Sequence, residues 1–209
     1  MQPLTTTFRR SRFVTGLATA LTAAAILPAG AMAATSNFGS SLNHDPANAG
    51  SSCDQTNLDN PPFCTHIGSF YPGFSGHAQA KSGGTITKIK LRAQGPMDFR
   101  FKLIQVRHLS SNHKSGQAKV VAVSRKLHAN GPSANGDGSS PVETFNVHIK
   151  VHKGDYVGLD TNNNTAEYCS DGTPGQLTFF NPNLSLGDGF QQSQGVDDCL
   201  LLVQAVYNH

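Results

Sequence analysis

The chain has 209 residues, with 16 Lys and Arg against 13 Asp and Glu and a formal net charge of +3. So slight a balance argues against nucleic-acid binding, which needs a strongly basic patch or stripe. No apolar run reaches the roughly 18 residues of a membrane-spanning helix. Gly (21) and Pro (11) are plentiful, Trp is absent and Glu occurs only at 143 and 167, the profile of a turn-rich β protein.

In chain order, the first 33 residues read as a cleavable export signal. Arg9, Arg10 and Arg12 form a basic start, Val14 to Leu27 a mildly apolar stretch, and Pro28 and Gly30 break it before Ala31-Met32-Ala33. Cleavage is expected near Ala33, which makes the protein secreted, and a lipid anchor is not expected because the residue directly after that position is Ala34 rather than Cys. Arg9-Arg10-Ser11 leaves the twin-arginine route open. The cysteines favour general secretion, since disulfides usually form in an oxidising compartment. Cleavage would leave 176 residues, one domain's worth, in which 13 basic residues face 13 acidic ones.

Residues 34–64, rich in Asn, Ser, Gly and Pro, read as an irregular lead-in. Cys53, Cys64, Cys169 and Cys199 are an even count in an exported chain and imply two disulfides, with three possible connectivities. Cys53–Cys64 and Cys169–Cys199 are favoured because each closes a local loop. A zinc site is disfavoured because there is no C-x-x-C pair.

From residue 65 to 209 the pattern is of short period-two segments between turns. Thr87–Ala93 places Ile89, Leu91 and Ala93 on one face and Lys88, Lys90 and Arg92 on the other. Asp98–Arg107 sets Phe99, Phe101 and Leu103 against Arg100 and Lys102. Lys119–Leu127 is the next strand, between loops at 110–116 and 129–140. Glu143–Val151 alternates Phe145, Val147, Ile149 and Val151 with Asn146, His148 and Lys150. Tyr156–Asp160 and Gln176–Phe180 follow, and Cys199–Tyr207 is apolar on both parities, as in a strand covered on both faces. Six to eight strands with no helical stretch predict an all-β fold, a single antiparallel β-sandwich of jelly-roll or Greek-key type.

The run from Gly84 to Arg92, the segment Phe101–Arg107 and above all Lys153-Gly154-Asp155-Tyr156-Val157-Gly158-Leu159-Asp160 resemble a group of exported β-sandwich proteins of actinobacteria. The resemblance spans roughly residues 65 to 207 and implies fold and export. It implies no activity, since that group has none assigned, and here Ile89 stands where the group usually has an aromatic.

Catalytic and cofactor signatures are lacking. Gly73-Phe74-Ser75-Gly76-His77 comes nearest to a nucleophile elbow and misses its final Gly spacing. There is no H-E-x-x-H. Most acids lie in Gly- or Asn-rich turns rather than in an evident glycosidase pair. No cofactor is expected. His148 and His152 share a strand face about 13 Å apart, too far for one metal ion without ligands from other strands. Asp160, Asn162 and Asn164 offer oxygens at alternate positions with Asp171 beyond. Thr165 replaces the Gly that a calcium loop requires, and an Asn-rich turn is the simpler reading.

Charge is segregated along the chain. Lys81 to Lys126 holds eleven basic residues and one acid, whereas Gly154 to the end holds seven acids and no Lys or Arg. If the strands bearing Lys88, Lys90, Arg92, Arg100 and Lys102 pair as a hairpin, like charges lie side by side and call for an offset. Solvation, or neutralisation by the acidic third, is one. The other is a basic sheet face for an anionic glycan or cell-wall polyanion. Missing Trp weakens a sugar-stacking platform, although Tyr71 and Phe74 remain. The leading expectation is therefore a secreted, non-enzymatic β-sandwich that binds such a partner. The alternative is a structural protein whose basic and acidic faces meet between copies, and the third is an extracellular hydrolase.

Overall fold

A computed structural model describes residues 33–47, 64–73, 75–134, 139–161, 166–169, 175–179 and 183–209. These residues contain fifteen strands, numbered β1 to β15 in chain order, and the architecture is all-β and antiparallel. One sheet runs β3 (Gly76–His77), β1 (Thr35–Ser40), β15 (Val203–Asn208), β4 (Gly84–Leu91), β8 (Glu143–Val151). The larger sheet runs β12 (Gln191–Gln192), β6 (Gln117–Val123), β5 (Met97–Arg107), β9 (Tyr156–Thr161), β2 (Cys64–Gly68), β11 (Gln176–Phe179), β13 (Gly195–Asp197), with β7 (Leu127–Ala129) also beside β5. β10 (Glu167–Cys169) and β14 (Cys199–Leu201) form a separate pair.

The two sheets meet over one core. Phe38, Ile86, Ile89, Leu91, Val203, Ala205 and Tyr207 come from the five-stranded sheet, and Phe99, Phe101, Leu103, Val157 and Leu159 from the larger one. Within each strand these are alternate residues, as the pleat requires, except for the three-residue step from Ile86 to Ile89, where β4 carries an irregularity. The larger sheet also buries its far face, where Ile67, Ile104, Leu177, Phe179 and Leu184 form a second cluster. That is why all six residues of β9 are buried.

Several expectations are corrected. The segment expected to be an irregular lead-in contains β1, paired with β15 from Thr35↔Asn208 to Gly39↔Gln204. Its only large apolar residue is Phe38, so it lacks alternation. Gly39 (φ 97°) lies so close to β15 that a Cβ there would collide with the Val203 carbonyl. Cys64, expected at the end of the lead-in, opens β2. The strand expected at Lys119–Leu127 divides into β6 and β7, both of which pair with β5. Between them Ser124 bridges the gap, as its hydroxyl accepts from the Phe101 N–H at 2.9 Å. Cys199–Tyr207 divides at Leu202, whose N–H turns to the Ala166 carbonyl.

The two basic strands do not pair as a hairpin, because β4 and β5 lie in different sheets, so the like-charge juxtaposition that such a pairing would bring does not arise. β8 is a long edge strand with the bounds expected from its alternation. Its register against β4 shifts between Ile86 and Lys88, an irregularity of the kind that blunts a sheet edge against unwanted pairing.

Candidate functional site

The outward face of the five-stranded sheet is the part of the expected basic surface that survives. Lys88 lies between Val206 and Asn146, and Lys90 between Gln204 and Thr144. Lys150 on β8 pairs with Thr85, which pairs in turn with Asn208. Two residues apart on one strand, Lys88 and Lys90 are about 7 Å apart at the backbone. No carboxylate stands among the described outward-facing residues of these strands. Lys88, Lys90 and Lys150 have no ion-pair partner among the described residues. The rest of the face is mostly amide and hydroxyl, from Asn37, Gln204, Asn146, Asn208, Thr85 and Thr144, with the half-buried Val206 and the exposed His148 among them.

Toward the β3 edge this face dips into a groove of ≈ 340 Å³, whose lining includes Asn37, Ser41, His77 and Gln204. The Gln204 amide donates to the Ser40 carbonyl at 2.8 Å, which fixes its orientation. Beyond Gly76 and His77, which line both, the groove leads to a larger cleft of ≈ 530 Å³.

The other predicted binding residues are either engaged by neighbours or carried by the larger sheet. Arg92 is engaged by the Asp45 carboxylate and donates to the Ser140 carbonyl at 2.7 Å. Lys102 is buried under the far face of the larger sheet, 3% exposed, with its ammonium 2.7 Å from Asp160 and also bonded to the Leu184 carbonyl. Arg100, half-buried, places its charge near both members of that pair.

Asp160, offered by the sequence as a weak calcium ligand, is the partner of Lys102 in that buried ion pair, 1% exposed, and it accepts from the Thr65 hydroxyl at 2.6 Å. Burial pushes the Lys102 ammonium down and the Asp160 carboxyl up, and each is partly offset by the other's charge. Asn162 and Asn164 lie outside the described residues.

Cys169 and Cys199 form a disulfide across the directly opposed pair of β10 and β14. Cys64 is fully buried and disulfide-bonded, and Cys53 lies outside the described residues. Tyr71, considered as a stacking surface, is buried and donates its hydroxyl to the Leu201 carbonyl at 2.9 Å. Phe74 lies outside the described residues. His152 sits just past β8 and 3.7 Å from Asp155, while His148 stays on the outer sheet face.

A second constellation had no sequence signal, because its members come from four separate strands. His66 (β2) is fully buried, 3.4 Å from Glu167 (β10) and 3.9 Å from Asp197 (β13). Gln176 and Thr178 (β11) adjoin, and the Thr178 hydroxyl donates to Asp197 at 3.0 Å. Burial pushes the Glu167 carboxyl up to about 8; the Gln176 amide opposes this and the Asp197 charge adds to it. Glu167 also lies close to the sulfurs of Cys169 and Cys199, but these are bonded to each other and hold no metal. His66 and Glu167 are sealed from solvent while Asp197 sits partly exposed at the rim, and the cluster ties β2, β10, β11 and β13 together.

The acids of the C-terminal third do not line one face. Asp155, Asp160 and Glu167 are buried, which leaves Asp188, Asp197 and Asp198 as the more accessible acids among the described residues.

No protein-family model, curated protein or solved structure matches the chain.

Proposed function

We propose that this is a secreted, non-enzymatic β-sandwich that binds an acidic glycan or cell-wall polyanion on the outward face of its five-stranded sheet. The observation that carries the reading is the make-up of that face: three lysines with no ion-pair partner among the described residues, set mostly among amides and hydroxyls, with no carboxylate among the described outward-facing residues. A polyanion laid across a sheet meets charge at Lys88, Lys90 and Lys150, and its hydroxyls meet the neutral groups between them. Lys150 takes the place in the site that Arg100 and Lys102 were expected to fill. The proposed setting, outside the cell after cleavage near Ala33, matches such a partner.

Heparin–agarose and alginate beads test the proposal. The protein is expected to be retained at low ionic strength and released by salt, because contacts between exposed charges are screened within about 10 Å at 0.1 M. The double variant Lys88→Ser/Lys90→Ser should elute at markedly lower salt while remaining folded. Unretained wild-type protein, or an unchanged elution point for the variant, refutes the reading.

A further inference from the structure

The ≈ 530 Å³ cleft beside β3 contains a combination of groups that packing does not require. Lys81 and Lys153 both line it, and the backbone brings them to the same end: Gly154 N–H donates to the Ala80 carbonyl at 2.8 Å and Ala80 N–H to the Asp155 carbonyl at 2.9 Å. Neither lysine has an ion-pair partner among the described residues, and the described lining includes no carboxylate. Phe70 and His113 stack at 4.6 Å between ring centroids and form an aromatic wall.

The polar floor is directional. Gln79 donates its amide N–H to the Tyr156 hydroxyl at 2.7 Å. The Tyr156 proton is thereby left to donate elsewhere, and the Gln79 carbonyl oxygen remains an acceptor. Burial holds the Tyr156 phenol above its ordinary value, so it stays a donor. An adjacent donor and acceptor suit a hydroxylated ring better than a purely apolar one.

The aromatic wall is held under strain. His113 adopts φ 58°, a left-handed conformation that costs a non-glycine residue energy. The loop enforces it: His113 N–H donates to the Ser110 carbonyl at 2.8 Å, and the Ser110 hydroxyl accepts from the N–H groups of Lys114 and Ser115, each at 3.0 Å. His113 Nδ1 is shut off from solvent with no hydrogen-bond partner. Strain of this kind persists where surrounding contacts over-determine it, and it clusters at binding sites.

We infer that this cleft binds a single sugar-acid unit, its carboxylate between Lys81 and Lys153, its C–H face against the Phe70–His113 wall and its hydroxyls on Tyr156 and Gln79. The ligand so defined rests on the acidic-glycan reading and narrows it: the sheet face holds the polymer, and the cleft reads one uronate unit. A site of this volume falls in the range of small-ligand pockets.

Isothermal titration of the purified protein with sodium D-glucuronate, D-glucose and sodium benzoate tests each part. Glucuronate is expected to bind at least about tenfold more tightly than glucose, which lacks the carboxylate, and than benzoate, which lacks the hydroxyls. Lys153→Ser and Lys81→Ser, both at exposed positions, should each weaken glucuronate binding about tenfold with the melting curve unchanged. Phe70→Ala should weaken glucuronate and glucose alike.

Equal affinity for glucuronate and glucose, or for glucuronate and benzoate, overturns the inference. So does an absence of glucuronate binding at about 10 mM. The two readings fail separately. Retention on heparin without glucuronate binding removes the cleft ligand alone, whereas glucuronate binding without polymer retention removes the sheet-face reading. The Lys88→Ser/Lys90→Ser variant should leave glucuronate affinity unchanged.

Discussion

Two stretches of nearly identical pattern meet opposite fates. Lys88 and Lys90 alternate with Ile89 and Leu91 on β4; Arg100 and Lys102 alternate with Phe101 and Leu103 on β5. On β4 the basic side chains look into solvent. On β5 the corresponding face is roofed by a second apolar cluster, and Lys102 is sealed beneath Leu184 against Asp160. Alternation tells which side chains share a face of a strand. What covers that face is decided by residues far away in the chain.

The comparison can be broken from the buried side first. Lys102→Met should destabilise the protein by about 3–5 kcal/mol, because Asp160 is left charged and unpaired in the interior. Lys102→Met combined with Asp160→Leu should recover most of the loss, since an apolar pair avoids the desolvation of two ions. Urea denaturation of both variants checks this; a double variant as unstable as the single one would show that the pair supplies more than neutralisation.

The disulfide that fastens β10 to β14 is next. Its sequence separation is 30 residues, and converting both Cys169 and Cys199 to Ser should cost about 3.6 kcal/mol by the chain-entropy model. The same denaturation series under non-reducing conditions measures it.

Glu167 contributes through pH. Its folded value of about 8 lies above the ordinary 4.5, so the folded state holds a proton that the unfolded chain releases. Stability from this group is complete below pH 4.5 and is lost as pH rises through 8. Each pH unit in that window is worth up to about 1.4 kcal/mol. Glu167→Gln should flatten the decline between pH 5 and 8 and stabilise the protein at pH 8 by roughly 2 kcal/mol, an allowance below the full linkage value for relaxation around the charge. An unchanged slope in thermal melts across that range would place the titration elsewhere.

The exposed side should give the smallest change in stability. Lys88→Ser/Lys90→Ser is expected to shift it by less than about 0.5 kcal/mol, although its effect on polymer retention is large. That contrast with Lys102→Met is the sharpest form of the comparison.

How much was legible follows from the same physics. β8 has the bounds its alternation implies, and β5 and β9 differ from expectation only at their ends, because a sheet with one covered face writes its period into the sequence. β1 was hidden: Thr35–Ser40 buries little besides Phe38, and it is a strand by virtue of its partners, β15 above all. Lys88 and Lys90 could be placed because their environment is their own strand. Lys102 and Asp160 could not, since each reads as a solvated charge until the other is placed beside it. His66 and Glu167 meet only through tertiary packing, and the Phe70–His113 wall needs a loop whose left-handed residue is not a glycine. Glycines at such positions announce themselves; a histidine does not.

β15 follows every other strand in the chain, yet it occupies the middle of the five-stranded sheet, with β1 on one side and β4 on the other. The backbone of Ala34 and His209 even exchanges a reciprocal pair of hydrogen bonds. Until the final residues are available, β1 has no long partner and β4 lacks one of its two neighbours, so the sheet cannot close. Contacts this distant along the chain make folding slow and late. A polypeptide with this wiring stays open while it is being made and becomes a sandwich only once its tail is free. Under the secreted reading proposed above, delayed closure would keep the chain threadable during its passage across a membrane.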